Sequence, residues 1–320
     1  MKVLRAEYLG FCFGVEDALE LACSTAGDTQ RVYSLGPLIH NTQVVKELTQ
    51  AGIQVVSRPE EISGGTVVVR AHGVTPEAMA ALRARTPNVV DATCVLVRRA
   101  QNAVKQLHEQ GYRVIIIGDA QHPEVQAMVG FAPDVIVIGE PQDVVRVPRS
   151  TRLGVVGQTT LAQERFAEMV GRIVAQPFRE IRVVNTLCLE VERRIQAASD
   201  LCARVDVMFV LGGLHSANTR ELAQVCRARG VPTYHLEDWS GFHPTFARGC
   251  RVAGVTAGAS TPESTIREFI EHLEQFERGG ACGAGVPPAP APESAGVPNR
   301  DASRLGSSAP QAAEGRIDDA

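Results

Sequence analysis

The chain has 320 residues, 44% apolar and 21% charged, with a net charge of −4. That is ordinary globular composition with enough chain for a sizeable core, and the slightly acidic balance argues against nucleic acid or an anionic membrane as partner. A single tryptophan among 5% aromatic residues argues against a base-stacking surface.

The first ten residues, MKVLRAEYLG, carry Lys2, Arg5 and Glu7 and do not read as an export signal. No apolar run is long enough to span a bilayer, so a soluble, cytoplasmic protein is expected. Gly10-Phe11-Cys12-Phe13-Gly14 sets a cysteine between glycines, ahead of a predicted helix over 15–23. Gly36-Pro37-Leu38-Ile39-His40-Asn41 leads into a helix over 41–51. A β-branched strand over 66–69 runs into Arg70-Ala71-His72-Gly73, and Thr75-Pro76 opens a helix over 76–85 with a cap and a first-turn proline. Asp91-Ala92-Thr93-Cys94 precedes a helix over 96–110. A strand over 113–117 ends in a loop holding His122-Pro123-Glu124. Strands over 135–138 and 152–156 follow, the second running into Gly157-Gln158-Thr159-Thr160 and a helix over 162–176. Asn185-Thr186-Leu187-Cys188 precedes a helix over 191–204. A strand over 207–211 leads through Gly212-Gly213 to His215-Ser216-Ala217-Asn218-Thr219 and a helix over 218–229. A last strand over 251–256 leads through Ala257-Gly258-Ala259-Ser260 to a helix over 261–275. From residue 279 onward Ala, Gly, Pro and Ser dominate and no aromatic residue occurs, so 279–320 read as a disordered tail.

Strand–helix alternation of this kind predicts an α/β fold with mostly parallel sheets. Cysteines 12, 94 and 188 recur at similar intervals, each at a loop–helix junction. That rhythm suggests three similar lobes, over 1–94, 95–184 and 185–278, around a central site. The eight cysteines contain no CxxC pair, which excludes a zinc ribbon, a thioredoxin motif and a bacterial ferredoxin run. A metal site must then be assembled from distant segments. A thiolate at a helix start is favoured by the helix dipole, although a lone cysteine is more often a small buried hydrophobe. Cys23, Cys202, Cys226 and Cys250 take that second reading. His40, His72 and His122 stand in Gly- or Pro-bearing loops, the last two at strand ends, where α/β sheets bind ligands. The loops with Ser216, Asn218 and Ser260 open helices and offer N–H, hydroxyl and amide donors to an anion such as a phosphate or diphosphate. No Walker A sequence is present, which argues against nucleotide hydrolysis. Glu124, beside this anion site, is placed as a proton carrier.

Together, GFCFGV at 10–15, GPLIHN at 36–41, RAHGV at 70–74, DATC at 91–94, HPEV at 122–125, GQTT at 157–160, NTLC at 185–188, HSANT at 215–219 and TAGASTPE at 256–263 resemble the 4-hydroxy-3-methylbut-2-enyl diphosphate reductase family, in its order and over about 1–275. The resemblance implies three α/β lobes around one 4Fe–4S cluster per chain, held by Cys12, Cys94 and Cys188. It implies a diphosphate held by His40, His72, His122, Ser216, Asn218 and Ser260, with Thr159 and Glu124 organising the substrate hydroxyl and relaying protons. The implied reaction removes that allylic hydroxyl to give isopentenyl and dimethylallyl diphosphate for isoprenoid synthesis, with flavodoxin or ferredoxin as electron donor. Val95, Val191, Ile195, His215 and Ala217 depart from the family's usual residues. A paralogue reducing another small anion, or a cluster-bearing diphosphate sensor, are the alternatives.

Overall fold

Parallel sheets buried on both faces need strands that are apolar throughout, and this chain supplies them as Val- and Ile-rich runs such as Thr66–Val69 and Val207–Leu211. The computed structural model describes residues 1–28, 31–149 and 152–278; the expected tail over 279–320, with Cys282, lies outside the described residues. The elements in chain order are β1 (Lys2–Arg5), α1 (Phe13–Asp28), β2 (Val32–Leu35), α2 (Thr42–Gln50), β3 (Ile53–Val56), β4 (Thr66–Val69), α3 (Pro76–Arg85), β5 (Val89–Asp91) and α4 (Val95–Glu109). They continue as β6 (Arg113–Ile117), α5 (Pro123–Val129), β7 (Ile136–Ile138), β8 (Arg152–Gly157), α6 (Gln163–Val174), β9 (Glu180–Val184), α7 (Leu189–Cys202), β10 (Val207–Leu211), α8 (Ala217–Ala228), β11 (Thr233–Leu236), β12 (Val252–Ala257) and α9 (Glu263–Arg278).

Three four-stranded, all-parallel sheets result, with orders β3-β2-β4-β5, β7-β6-β8-β9 and β11-β10-β12-β1. Each repeats one plan. The second strand lies outside the first, while the third and fourth run the other way. The crevice at the switch point therefore opens at the C-terminal ends of the first and third strands. The plan also shows where β1 belongs. It pairs with β12, Lys2 opposite Val252 through Arg5 opposite Val255, and so acts as the fourth strand of the third sheet rather than as part of a lobe over 1–94. Sequence order cannot reveal this, because β1 precedes its sheet partners by most of the chain.

Helices cover both faces of each sheet. In the first, Ala18 and Ala22 of α1 and Val44 and Leu48 of α2 pack with Val32 and Val68, while Leu82 of α3 packs with Val67 and Val69 on the other side. In the second, Ala100, Val104 and Leu107 of α4 pack with Ile116 and Val156, opposite Phe166, Met169 and Ile173 of α6. In the third, Ile195 and Ala198 of α7 and Leu222 of α8 cover one face, and Ile266, Phe269 and Leu273 of α9 the other. Among the described residues no helix is long and apolar enough to cross a membrane.

Candidate active site

The common sheet plan decides which residues meet. The loops after the first strands carry His40, His122 and the Ser216–Asn218 turn; those after the third strands carry His72, Thr159 and Ser260; those after the fourth strands carry Cys94, Cys188 and, through β1, Cys12. These ten expected residues and Glu124 all line one central cavity of about 110 Å³. A second cavity of about 400 Å³, between the second lobe and α8, shares Thr160 and Ala217 with it. The exposed Arg220–Asp119 ion pair, 3.3 Å, lies among its walls.

Each cysteine backbone is tied before its helix starts. The Cys94 N–H donates to the Ala71 carbonyl at 3.0 Å, that of Cys188 to the Thr159 carbonyl at 2.9 Å and that of Cys12 to the Ala259 carbonyl at 3.3 Å. Burial pushes the Cys94 and Cys188 thiols up, while N–H groups of Leu96 and Val97, and of Val191 and Glu190, draw them down. The neighbouring thiols raise them further: Cys12 acts on both, and Cys94 on Cys188. Gly14 is required here, because a Cβ on it would lie 2.6 Å from the Cys94 sulfur. Three converging thiols with N–H groups directed at sulfur suit an iron–sulfur cluster, whose charge such donors offset.

Across the cavity, three imidazoles pack against one another. Ring centroids are 4.6 Å apart for His40 and His72, and 5.4 Å for each of these with His122. His122 caps α5, its Nδ1 accepting the Glu124 N–H at 3.2 Å. Burial disfavours the protonated form of all three. Burial, then the His40 charge, brings His122 down to about 4; burial first, then neighbouring cations, lowers His40 and takes His72 well below its usual value. His40 Nε2, His72 Nδ1 and both amide atoms of Asn218 are buried without a protein partner. Buried polar atoms are costly unless hydrogen-bonded, so this group is built for a polar ligand. Ser216 caps α8 and Ser260 Oγ donates to the His40 carbonyl at 3.3 Å.

Glu124 is 1% exposed. Thr159 donates its N–H to Oε1 at 2.7 Å and its hydroxyl to Oε2 at 2.9 Å. Burial outweighs both hydrogen bonds and pushes the carboxyl up to about 7. A carboxyl near neutrality, oriented by a hydroxyl, is an effective general acid.

The departures fall unevenly. Val191, 4% exposed, and Ala217 line the cavity. Ile195 is buried in the third-lobe core, while Val95 and His215 are exposed. Of the cysteines expected as core, Cys202 and Cys226 are buried, Cys250 is half-buried and Cys23 is exposed, because its position on α1 faces away from the sheet. Arg194, not anticipated, is 4% exposed and bonds the carbonyls of Gly10 and Phe11. Its signal was its place on the α7 face of Val191, Ile195 and Ala198, where a charge is out of pattern.

The family model described as LytB protein matches residues 3–274. A 4-hydroxy-3-methylbut-2-enyl diphosphate reductase of Pelobacter propionicus is 40% identical over 87% of this chain and 99% of its own, and one of Trichlorobacter lovleyi is 41% identical over 86% and 98%. A solved (E)-4-hydroxy-3-methyl-but-2-enyl diphosphate reductase, the terminal enzyme of the non-mevalonate pathway, matches with a TM-score of 0.63 at 37% identity, over 86% of this chain and 100% of that one. The Plasmodium falciparum reductase structure shares the fold at a TM-score of 0.80 and 24% identity, over 85% of this chain and 87% of its own.

Proposed function

The chain belongs to the LytB protein family, and from that premise we propose that it reduces 4-hydroxy-3-methylbut-2-enyl diphosphate to isopentenyl and dimethylallyl diphosphate at the three-cysteine, three-histidine cavity. The observation that carries the reading is the meeting of all eleven expected residues around one cavity. We assign Cys12, Cys94 and Cys188 to one 4Fe–4S cluster, and His40, His72, His122, Ser216, Asn218 and Ser260 to the diphosphate. The reaction takes two electrons and two protons. The allylic C–O bond breaks, its oxygen leaves as water with one proton, and a C–H bond forms with the other. The bound cluster supplies the electrons and a Lewis-acidic iron.

The chain's own residues do the rest. Neutral imidazoles and the Asn218 amide give the diphosphate partners in place of water, and its charge favours histidine protonation once bound. Thr159 lines the cavity and donates to Glu124, so we assign it the place between the substrate hydroxyl and that carboxyl. A protonated Glu124 donates to Thr159 Oγ1, which passes its own proton to the leaving oxygen. Valine at 191 keeps the Cys188 side apolar and excludes water there.

Flavodoxin or ferredoxin is the proposed donor, because an iron–sulfur cluster that passes on two electrons must be re-reduced by an external low-potential carrier. The reducing cytoplasm is the proposed place of work. Anaerobic cluster-loaded protein, given the diphosphate substrate and a reduced viologen dye, should yield both isomeric diphosphates. Cluster-loaded protein that consumes no substrate under those conditions would sink the proposal, and turnover of a different allylic anion instead would favour the paralogue reading that Val191 and Ala217 suggest. A sensor without turnover fits the site less well, because Glu124 is poised at about 7 for proton transfer.

A further inference from the structure

Of the three cysteines, Cys12 is held least by regular structure. Cys94 comes three residues after β5. Cys188 follows β9 through a turn in which the Leu187 N–H donates to Asn185 Oδ1 at 3.0 Å. Cys12 instead ends a loop that leaves β1 at Arg5, turns through Gly10 at a φ of +81°, and reaches α1 with neither helix nor strand between. Its own N–H bond, 3.3 Å, is the longest of the three.

Arg194 reaches this loop from the helix that Cys188 starts. Nη2 donates to the carbonyls of Gly10 at 3.1 Å and Phe11 at 3.0 Å. Nη1 donates to the Glu190 carbonyl at 2.8 Å and to Glu190 Oε2 at 3.2 Å. The Phe11 carbonyl belongs to the peptide whose nitrogen is that of Cys12. A guanidinium that is 4% exposed is costly to bury, and Nε has no partner to offset that. The planar fork is what lets one side chain hold two successive carbonyls of one chain segment and a carbonyl of another.

We propose that Arg194 is a positioning residue for the cofactor: it clamps the Cys12 loop to the Cys188 helix, fixing the distance between two of the three thiols, and its charge lies one peptide from the Cys12 ligand. The inference rests on the reading of these cysteines as cluster ligands. It predicts two effects. Without the clamp, Cys12 is displaced while Cys94 and Cys188 stay in place. Without the cation, Glu190, 23% exposed, keeps only its pair with the exposed Arg193 at 2.9 Å, a buried positive charge beside the Cys12 loop is lost, and the cluster becomes harder to reduce.

The test compares the parent with Arg194→Lys and Arg194→Gln in the full chain. In cluster-free protein, alkylation by iodoacetamide is followed at each cysteine by mass spectrometry. Arg194→Gln should speed alkylation of Cys12 several-fold and leave Cys94 and Cys188 within twofold of the parent. After anaerobic reconstitution it should hold less iron, and its retained cluster should titrate at a more negative potential by electron paramagnetic resonance. Arg194→Lys, which keeps the charge and one donor, should restore the potential and only part of the iron content. Equal acceleration at all three cysteines means general loosening and overturns the clamp. Parent-like iron and potential in Arg194→Gln also overturn it, as does a potential that Lys fails to restore. If Arg194→Gln does not fold, the Lys variant decides alone, through selective Cys12 acceleration or its absence. Failure of the ligand assignment looks different: the parent itself then holds no iron.

Discussion

At the scale of single residues, Glu124 and Thr159 show why position matters more than type. A glutamate at a helix start is ordinary, but this one is buried and held by both donors of one threonine. Glu124→Gln keeps the shape and removes the acid, so turnover should fall by about 100-fold or more while iron content is unchanged. Single-turnover assays with metal analysis check this. The raised carboxyl also links to stability. Its pKa is about 7 in the folded chain against an ordinary value of 4.5, so the folded state keeps a proton that the unfolded state releases. The associated stability is fully present below 4.5 and is lost as pH rises through 7, an amount on the order of 3 kcal/mol. Denaturant melts of parent and Glu124→Gln between pH 4 and 8 should diverge in slope, and parallel curves would refute the linkage. The site histidines were legible in the sequence because glycine, proline or strand ends flank them, and the cysteines because a helix start follows each and they stand in order among the family's motifs. Arg194 was visible only as a charge out of pattern on the buried face of α7; the loop it holds was not legible, because that contact joins residues 183 positions apart.

At the scale of elements, most central strands and the longer helices were readable and most edge strands were not, although central β2 was missed and edge β7 was found. Buried β4, β6 and β10 stand where β-branched runs predict them. Strands β1 and β9 are half-exposed and alternate irregularly, and β5 has three residues, so none contrasts with its surroundings in sequence. Helix α5, seven residues long, is too short to show a period, and the His122 cap rather than propensity starts it. Cap chemistry is testable away from the site. Thr75 Oγ1 accepts the Ala78 N–H at 3.1 Å at the start of α3. Thr75→Ala should lower stability by about 1 kcal/mol, seen as a lower thermal midpoint, with turnover unchanged.

At the scale of the molecule, three copies of one strand plan aim their first-, third- and fourth-strand loops at a shared centre. The interval between cysteines hinted at this repeat, but the offset that places β1 in the last sheet has no local signature, since it depends on a pairing made across the whole fold. Removing residues 2–5 should therefore do more than Cys12→Ser. Both changes should abolish iron binding, but only the deletion should also lower the melting temperature of cluster-free protein, because it strips one edge from the third sheet.

The pairing of β1 with β12 also sets a clock. On a ribosome adding ~5–20 residues per second, the first strand emerges on the order of 10–50 s before the strand it must join. During that interval the first two sheets have all their strands and are free to close, while β1 waits as an unpaired edge with its cysteine exposed. Closing the ring of lobes is thus a late event in synthesis, and the central site becomes complete only when the two ends of the folded region meet.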